Sequence, residues 1–283
     1  MTSTPNLCVV IKIYNEYQML EECVQSLEKQ TFQPEQILIV DDGSPDSGVR
    51  KEIERLSLTY SQLTIRFLRM PLKSAPNLDT VGRTFNSAWF EIRKGKNFDY
   101  LGTIDADTSL TESYYEVIIG EMERNPELGC VSGAIKILKN GEEYVEQINI
   151  GSKFGRRDAR GSGKVIRTSL LSTIKDRDFP DIDWDTWINT KAKVRGYKTP
   201  QLDHVYMYQK RPTTRVAGKD LYRNGRLTFH FGYNPILLLL KVILAKRGAL
   251  TFLRGYLDGR RENWRLTDKE VRKYFGWRFF FHF

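Results

Sequence analysis

Two aspartates, one residue apart, follow a short apolar run in the stretch YLGTIDADTSL at positions 100–110. Asp105 and Asp107 would repel each other if both were ionised, so they need a compensating cation. Mg²⁺ and Mn²⁺ prefer oxygen ligands and often bind through one or two carboxylates together with the phosphates of a substrate. The pair therefore indicates a divalent metal and a diphosphate ligand, although acidic loops with this spacing are common.

Polar residues also end two earlier apolar runs. Tyr14 and Asn15 follow LCVVIKI, and Asp41 and Asp42 follow QILIV. Both runs are rich in the β-branched residues that favour strands. The position of the D-x-D after a third such run gives it more weight than the motif has alone.

The hydrophobic pattern alternates between strand and helix signals. Short apolar runs predict strands at 7–14, 36–40, 63–70, 100–104 and 130–138, and apolar residues at helical spacing predict helices at 16–30, 49–60, 80–94, 111–125 and 184–196. This alternation predicts an α/β fold with a mostly parallel sheet flanked by helices. Ligands of such sheets gather at the carboxyl ends of the strands, so we expect the three polar clusters to face one cleft.

Composition excludes several classes of protein. The chain has 283 residues, 40% of them hydrophobic and 28% charged, which is typical of a folded globular protein. Cys8, Cys23 and Cys130 are far apart and odd in number, so a disulfide framework or a cysteine zinc site is not expected. The start, MTSTPNLCVV, shows no basic segment followed by a long apolar one, so we expect no secretory signal and a cytoplasmic location.

The C-terminal segment of the chain concentrates the basic charge. The net charge is +9, and the segment from Lys241 onward has eleven Lys and Arg residues against four Asp and Glu residues. This segment ends in WRFFFHF, and basic plus aromatic residues favour nucleic acid or an anionic membrane surface. The apolar blocks at 234–257 are shorter than the roughly 18 residues of a spanning helix. A helix lying in a membrane interface, a helical pair packed on the preceding domain and a solvated basic face all remain open.

Four motifs together resemble a known family. VVIKIYNE, ILIVDDGSPD, YLGTIDADT and DIDWDTWINTKAKVRGYK are similar, in this order, to the signatures of family 2 glycosyltransferases with the GT-A fold. The resemblance covers about residues 7–215. It implies a Rossmann-like GT-A catalytic domain at 1–215, followed at 216–283 by a helical extension that looks like the membrane-associated tail of some bacterial and archaeal members.

The resemblance implies an inverting enzyme that moves a sugar from a nucleotide-diphosphate sugar to a glycan or polyprenyl-linked acceptor. It assigns nucleotide-sugar contacts to Tyr14, Asn15, Asp41, Asp42, Arg83, Asn86, Asp105 and Arg211. Asp41 is also suited to capping the turn that follows it, and Arg83 to a solvated helix face. Lys12 stands where the family often has a small polar residue, which leaves its role open.

The resemblance also implies a metal, Mn²⁺ or Mg²⁺, with Asp107 as the more direct ligand and Asp105 near the metal or the ribose. The family usually has Glu-Asp before the last helix, with the Asp acting as base, and here Ile182 replaces the Glu. Asp183 keeps the aligned position of the base, with Asp181 in reserve. Asp185 is suited to the helix N-terminus. A lipid phosphate acceptor, which is already anionic, would need no base.

Three other functions compete with this interpretation. A phosphohydrolase of the haloacid dehalogenase type also uses a strand followed by D-x-D, but its motif normally opens the domain. A nucleotidyltransferase would need a Gly- and Lys-rich phosphate loop near the N-terminus, and VVIKIYNEYQ has none. A nucleic-acid-binding protein would leave three acidic strand ends unexplained. We expect a peripheral enzyme at the cytoplasmic face of a membrane, with no nucleic-acid partner.

Overall fold

The computed structural model describes residues 4–15, 17–45, 48–72, 81–139, 142–145, 158–174, 179–210 and 217–276. These residues form two compact units, and the boundary between the units falls at 211/212. The first unit holds every described strand and the predicted site residues up to 210. The described residues of the second unit, 217–276, are mainly helical.

The described strands of the first unit form a nine-stranded sheet with the order β3-β2-β1-β4-β8-β6-β9-β5, and β7 pairs with β6. The bounds are β1 Leu7–Ile13, β2 Gln36–Asp41, β3 Ile65–Arg69, β4 Tyr100–Asp105, β5 Thr108–Leu110, β6 Cys130–Lys139, β7 Glu142–Val145, β8 Lys164–Arg167 and β9 Gln201–Gln209. The predicted parallel arrangement holds for β3, β2, β1 and β4. Antiparallel pairs through β8, β5 and β7 make the rest of the sheet mixed.

Helices follow most of the parallel strands, as the alternating pattern predicts. The bounds in the first unit are α1 Leu20–Glu28, α2 Gly48–Thr59, α3 Val81–Arg93, α4 Tyr114–Arg124, α5 Thr168–Ser172 and α6 Trp184–Val194, with a 3₁₀ turn at Tyr17–Met19. In α3, Phe85, Ala88, Trp89 and Ile92 are buried at helical spacing. This apolar face holds α3 in place and leaves its first turn to meet the ends of the strands.

The strands β1, β2 and β4 bring the predicted polar clusters to one edge of the sheet. In β1 every residue is buried except the half-buried Lys12, as expected for a parallel strand covered on both faces. The register pairs Ile13 with Asp41 on β2, and Lys12 with Asp105 on β4. The polar residues that end these three strands therefore lie side by side.

The second unit consists of α7 Ala217–His230, α8 Pro235–Leu244, α9 Ala249–Arg261 and α10 Lys269–Gly276, with a 3₁₀ turn at Lys246–Gly248. Glycines let α7 and α9 approach closely, because a Cβ at Gly225 would lie 1.9 Å from the Phe252 carbonyl oxygen and one at Gly255 would lie 2.0 Å from that of Tyr222. In contrast to α9, α8 has no buried residue. Within the described ranges, no helix has the length and apolar character needed to cross a membrane.

Candidate active site

Hydrogen bonds of Ser44 connect the loops that follow β1 and β2. Ser44 donates from its backbone N (2.9 Å) and its Oγ (2.5 Å) to Oδ1 of the fully buried Asp41. The same Oγ accepts from the backbone N of Asn15 at 2.8 Å. Arg69 Nε lies 3.3 Å from Asp41 Oδ2. The Asp41 carboxylate therefore organises the turn, which fits the capping alternative, and a direct contact with the donor stays a prediction.

The turn after β1 has an unusual backbone. Asn15 is exposed and has a φ of 55°, in the left-handed region that Asn tolerates better than most residues. Tyr14 immediately before it is half-buried. The Ser44 bond to Asn15 holds this conformation, and the turn thus presents Tyr14 and Asn15 at the end of β1.

Asp42 joins the end of β2 to α3. Its Oδ1 accepts a 2.6 Å hydrogen bond from Thr84 Oγ1, and both side chains are buried. Hydroxyl-to-carboxylate bonds of this length are charge-assisted and strong. The neighbouring Arg83 is exposed. Sequence reasoning missed Thr84, although one polar residue on an otherwise apolar helix face was a usable signal.

The first half of α3 also holds the segment that leads to the predicted base. Asn86 donates from Nδ2 to the Phe179 carbonyl (2.9 Å) and accepts at Oδ1 from the Phe179 N–H (2.7 Å). A Cβ at Gly82 would lie 1.9 Å from the Pro180 carbonyl oxygen, so only glycine permits this approach. Both amide atoms of Asn86 therefore bind the protein backbone, and its predicted contact with a nucleotide sugar stays a prediction.

Aromatic rings fix the start of α6 against α3. The rings of Phe85 and Trp184 stack at 4.7 Å, and Phe179 lies 4.3 Å from Phe85 and 5.2 Å from Trp187, centroid to centroid. Such pairs contribute about 0.5–1.5 kcal/mol each beyond their buried area. The cluster holds the segment with Asp181 and Asp183 in a defined position.

Asp183 sits at the N-terminal boundary of α6 in a left-handed conformation, with φ 51° and ψ 39°. This conformation is uncommon outside glycine, and such residues cluster at functional sites. Its side chain makes no capping bond to α6, although its carbonyl accepts from the Trp187 N–H at 3.0 Å. Asp181, the reserve candidate, is exposed. The backbone thus singles out Asp183 among the acidic residues of this segment.

In the folded structure, the segment Gly161–Gly163 lies between the D-x-D and the start of α6. Thr103 on β4 donates from Oγ1 to the Gly161 carbonyl at 2.7 Å, and the Asp105 N–H donates to Ser162 Oγ at 3.0 Å. On the other side, a Cβ at Gly161 would lie 3.6 Å from Asp185 Oδ2. The end of β4 and the acidic start of α6 therefore meet across the Gly161–Gly163 segment.

A buried lysine supports this arrangement. Lys164 is fully buried, and its Nζ donates to the Asp185 carbonyl (3.0 Å) and to Asn189 Oδ1 (2.8 Å). The ammonium also lies 5.4 Å from the ring centroid of Trp184. Loss of hydration on burial lowers the pKa of Lys164. Lys164 ties β8 to the first turn of α6, a role that no sequence pattern indicated.

We expect the burial of Lys164 to make the free energy of unfolding depend on pH. The pKa of Lys164 is lower in the folded state than in the unfolded state. At pH values between this lowered pKa and the ordinary value of about 10.4, the unfolded state therefore binds more protons than the folded state. The unfolding free energy of the wild type, relative to that of Lys164→Met, should therefore rise with pH in this window. Each tenfold difference in proton affinity contributes about 1.4 kcal/mol.

Urea denaturation at a series of pH values measures this difference. The exposed Lys94, which forms a 3.0 Å ion pair with Glu91, provides the control variant Lys94→Met. A difference between wild type and Lys164→Met that stays flat or falls with pH would contradict the lowered pKa.

The D-x-D aspartates have different surroundings. Asp105 is half-exposed, and its Oδ1 lies 3.6 Å from Lys12 Nζ. Asp107 is buried, and its carbonyl accepts from the Lys210 N–H at 3.0 Å, where β9 ends beside β5. Arg211, a predicted contact of the donor, lies outside the described residues.

A divalent metal fits these two carboxylates only in part. In the described portion of the chain, no group of three or more His, Cys, Asp or Glu side chains is arranged to hold a metal. Mg²⁺ and Mn²⁺ commonly complete their ligand sets with substrate phosphates and water. Asp105 and Asp107 thus suit an ion that binds together with a diphosphate.

Comparison with known proteins identifies the family. Residues 8–182 match the model of glycosyl transferase family 2. This chain belongs to that family. Poly-beta-1,6-N-acetyl-D-glucosamine synthase from Staphylococcus epidermidis is 23% identical over 208 residues, 71% of this chain and 47% of the relative. An uncharacterized glycosyltransferase from Haemophilus influenzae is 23% identical over 158 residues, 56% of this chain and 44% of the relative.

The family 2 chain spans about half the length of these curated relatives. Solved structures show the same fold. The mannosyltransferase PcManGT from Pyrobaculum calidifontis, in complex with GDP-Man and Mn²⁺, has a TM-score of 0.63 at 16% identity and covers 96% of this chain and 84% of its own. S. aureus TarS in complex with UDP-GlcNAc has a TM-score of 0.56 at 17% identity and covers 87% and 72%. The predicted GT-A class is confirmed.

Proposed function

We propose that this family 2 chain is a glycosyltransferase that moves a sugar from a nucleotide-diphosphate sugar to a glycan or lipid-linked acceptor. The observation that carries the proposal is the meeting of three polar strand ends with the acidic start of α6 at one edge of the sheet. Membership of the family favours this function over the phosphohydrolase, nucleotidyltransferase and nucleic-acid-binding alternatives.

The donor would lie across the ends of β1, β2 and β4. Tyr14 offers a ring on which a base can stack, and Asp42 offers a carboxylate that can accept from a base N–H. The solved relatives bound to GDP-Man and UDP-GlcNAc support a nucleotide sugar as the class of donor. Asp41 and Asn86 would act indirectly, by holding the loops that surround the donor.

Asp105 and Asp107 would hold Mn²⁺ or Mg²⁺ against the diphosphate of the donor. When bound, such an ion acts as a Lewis acid that neutralises the charge of the leaving group. The Mn²⁺ in the PcManGT complex supports this choice of metal. Asp107 is the stronger ligand candidate, because Asp105 already has Lys12 as a counter-charge.

Asp183 would accept the proton of the acceptor hydroxyl. The oxygen then forms a bond to the anomeric carbon, while the bond from that carbon to the diphosphate oxygen breaks and the nucleoside diphosphate leaves. Attack from the face opposite the leaving group inverts the anomeric configuration. Asp181 is the alternative base in the same segment.

A panel of nucleotide sugars tests the proposal. Each donor is offered with Mn²⁺, with Mg²⁺ or with EDTA, and release of the nucleoside diphosphate is measured with and without glycan and polyprenyl phosphate acceptors. We expect release from at least one donor. Binding of no nucleotide sugar, or rapid hydrolysis of simple phosphate esters instead, would overturn the proposal.

We also propose that the second unit binds an anionic phospholipid surface, at the cytoplasmic face of a membrane. Ile236, Leu239 and Ile243 lie at i, i+3 and i+7 of α8 and are 59%, 60% and 62% exposed. Contiguous exposed apolar stripes mark interaction sites. Exposed Lys246 and Arg247 follow α8 directly, and basic residues beside an apolar helix face match an anionic membrane interface.

The double variant Leu239→Asp/Ile243→Asp should lower co-sedimentation with vesicles of phosphatidylglycerol and phosphatidylcholine by about tenfold or more, because burying each side chain contributes roughly 1.5–3 kcal/mol. Leu58→Asp is the matched control, since Leu58 is an exposed apolar residue on α2 of the other unit. Equal sedimentation of the double variant and the control would refute membrane binding. A change of oligomeric state in the double variant would instead assign the stripe to a second copy of the chain.

A further inference from the structure

Lys12 places a cation beside the first aspartate of the D-x-D. It is the only charged residue of β1, where its neighbours Ile11 and Ile13 are completely buried. The register of the parallel strands places Lys12 between Val40 on β2 and Asp105 on β4. Its Nζ lies 3.6 Å from Asp105 Oδ1. The sheet itself therefore sets an ammonium beside the first aspartate of the motif.

This ion pair is weak and can be exchanged. The side chains of Lys12 and Asp105 are 31% and 41% exposed, and 3.6 Å is longer than a hydrogen bond. Exposed pairs of this kind contribute about 0–1 kcal/mol. Lys12 can thus leave the carboxylate for another anion at little cost.

Two other cations near this edge of the sheet, Arg69 and Lys164, are held more firmly. Arg69 pairs with the buried Asp41 and donates to the Ser44 carbonyl at 2.8 Å. The Nζ of Lys164 is buried and binds two oxygens of α6. Among the described residues, Lys12 has Asp105 as its one loosely held partner and is open to solvent, which is what binding an incoming anion requires.

We propose that Lys12 binds the diphosphate of the donor, so that the cleft retains affinity for a nucleoside diphosphate when no divalent metal is present. This inference rests on the proposed function, which places a nucleotide sugar at these strand ends. A metal that takes Asp105 as a ligand would release Lys12 to the phosphates. The ammonium and the metal would then act together on the donor, and the ammonium would act alone in metal-free protein.

Calorimetry on the full chain tests the inference without measuring activity. UDP, GDP, ADP, CDP and dTDP are titrated separately into wild type and Lys12→Met, in EDTA and in Mn²⁺. In EDTA we expect Lys12→Met to bind the preferred nucleotide about 10- to 100-fold more weakly, as for loss of one hydrogen bond to a charged group. The control Lys94→Met lies beyond the C-terminus of α3 and should bind like the wild type.

A double variant separates phosphate binding from simple neutralisation of Asp105. If Lys12 contacts the phosphates, Asp105→Asn keeps or gains affinity in EDTA, because its lysine is released. Lys12→Met/Asp105→Asn then stays as weak as Lys12→Met. Recovery of wild-type affinity in the double variant would overturn the inference, since it would show that Lys12 acts only by cancelling the carboxylate charge.

The binding results distinguish failure of the Lys12 inference from failure of the proposed function. Binding in Mn²⁺ with equal affinities of wild type and Lys12→Met in EDTA, or no binding by the wild type in EDTA, would overturn the role of Lys12 alone. Binding of no nucleoside diphosphate under either condition would overturn the proposed function together with this inference. Lys12→Arg, which keeps the charge, should retain binding in EDTA, and thermal unfolding of Lys12→Met checks that the weaker binding of that variant is not caused by loss of folding.

Discussion

Replacing Asp183 with asparagine should lower kcat for sugar transfer about 10²- to 10⁴-fold, the usual contribution of a general base. Asparagine cannot take the proton of the acceptor hydroxyl. It does tolerate the left-handed backbone that Asp183 adopts, so the start of α6 should keep its conformation. Initial rates of nucleoside diphosphate release at saturating donor and acceptor measure the effect, and donor binding should be nearly unchanged.

Asp181→Asn and Asp185→Asn are the controls for this experiment, because both aspartates belong to the same acidic segment. We expect each to retain most of the activity. If Asp181→Asn lost activity and Asp183→Asn did not, the base would be Asp181. A loss below tenfold in all three variants would refute a carboxylate base in this segment and point to an acceptor that is already anionic, such as a lipid phosphate.

Asp107→Asn should lower kcat about 10²- to 10³-fold, the range found when one preorganised hydrogen-bond donor that stabilises a transition state is removed. The variant should also need more Mn²⁺ for half-maximal activity, because a neutral amide is a poorer ligand for a hard cation than a carboxylate. Metal titrations of the transfer rate measure both effects. Thermal unfolding of the variant checks that loss of the buried carboxylate has not unfolded the protein.

Asp105→Asn is the matched comparison, because Asp105 is the other aspartate of the same motif. We expect a smaller loss of activity than for Asp107→Asn, because Asp105 is half-exposed and its charge is already balanced in part by Lys12. Equal metal dependence in Asp107→Asn and the wild type would contradict the assignment of Asp107 as the stronger ligand.

Local sequence was enough to predict the first half of the catalytic fold. The apolar runs at β1, β2 and β4 are nearly completely buried, and parallel strands covered on both faces must be apolar along their length. Since this pattern is local, it also located the polar residues that end each strand. The strands β5, β7 and β8 were missed, because segments of three and four residues carry too little periodicity to be recognised. The nine-residue β9 was missed as well, because only Val205 and Met207 in it are buried and the strand has no continuous apolar run.

The roles of individual polar residues depended on contacts between distant segments. Asp41 and Asp42 are adjacent, yet one binds Ser44 in its own turn and the other binds Thr84 on α3. Asn86 binds the backbone of Phe179, 93 positions away. No local pattern distinguishes such partners, because each hydrogen bond depends on how the strands and helices are packed.

The sequence by itself determined the class of fold, the family and the residue types that could serve a nucleotide sugar, because apolar periodicity and motif order are properties of the linear chain. Only the tertiary structure decided which of these residues meet. The strand register placed Lys12 beside Asp105. Packing of α3 and β8 against α6 positioned Asp183 and buried Lys164. These contacts join segments that are distant along the chain, so they exist only after the sheet and its helices have assembled.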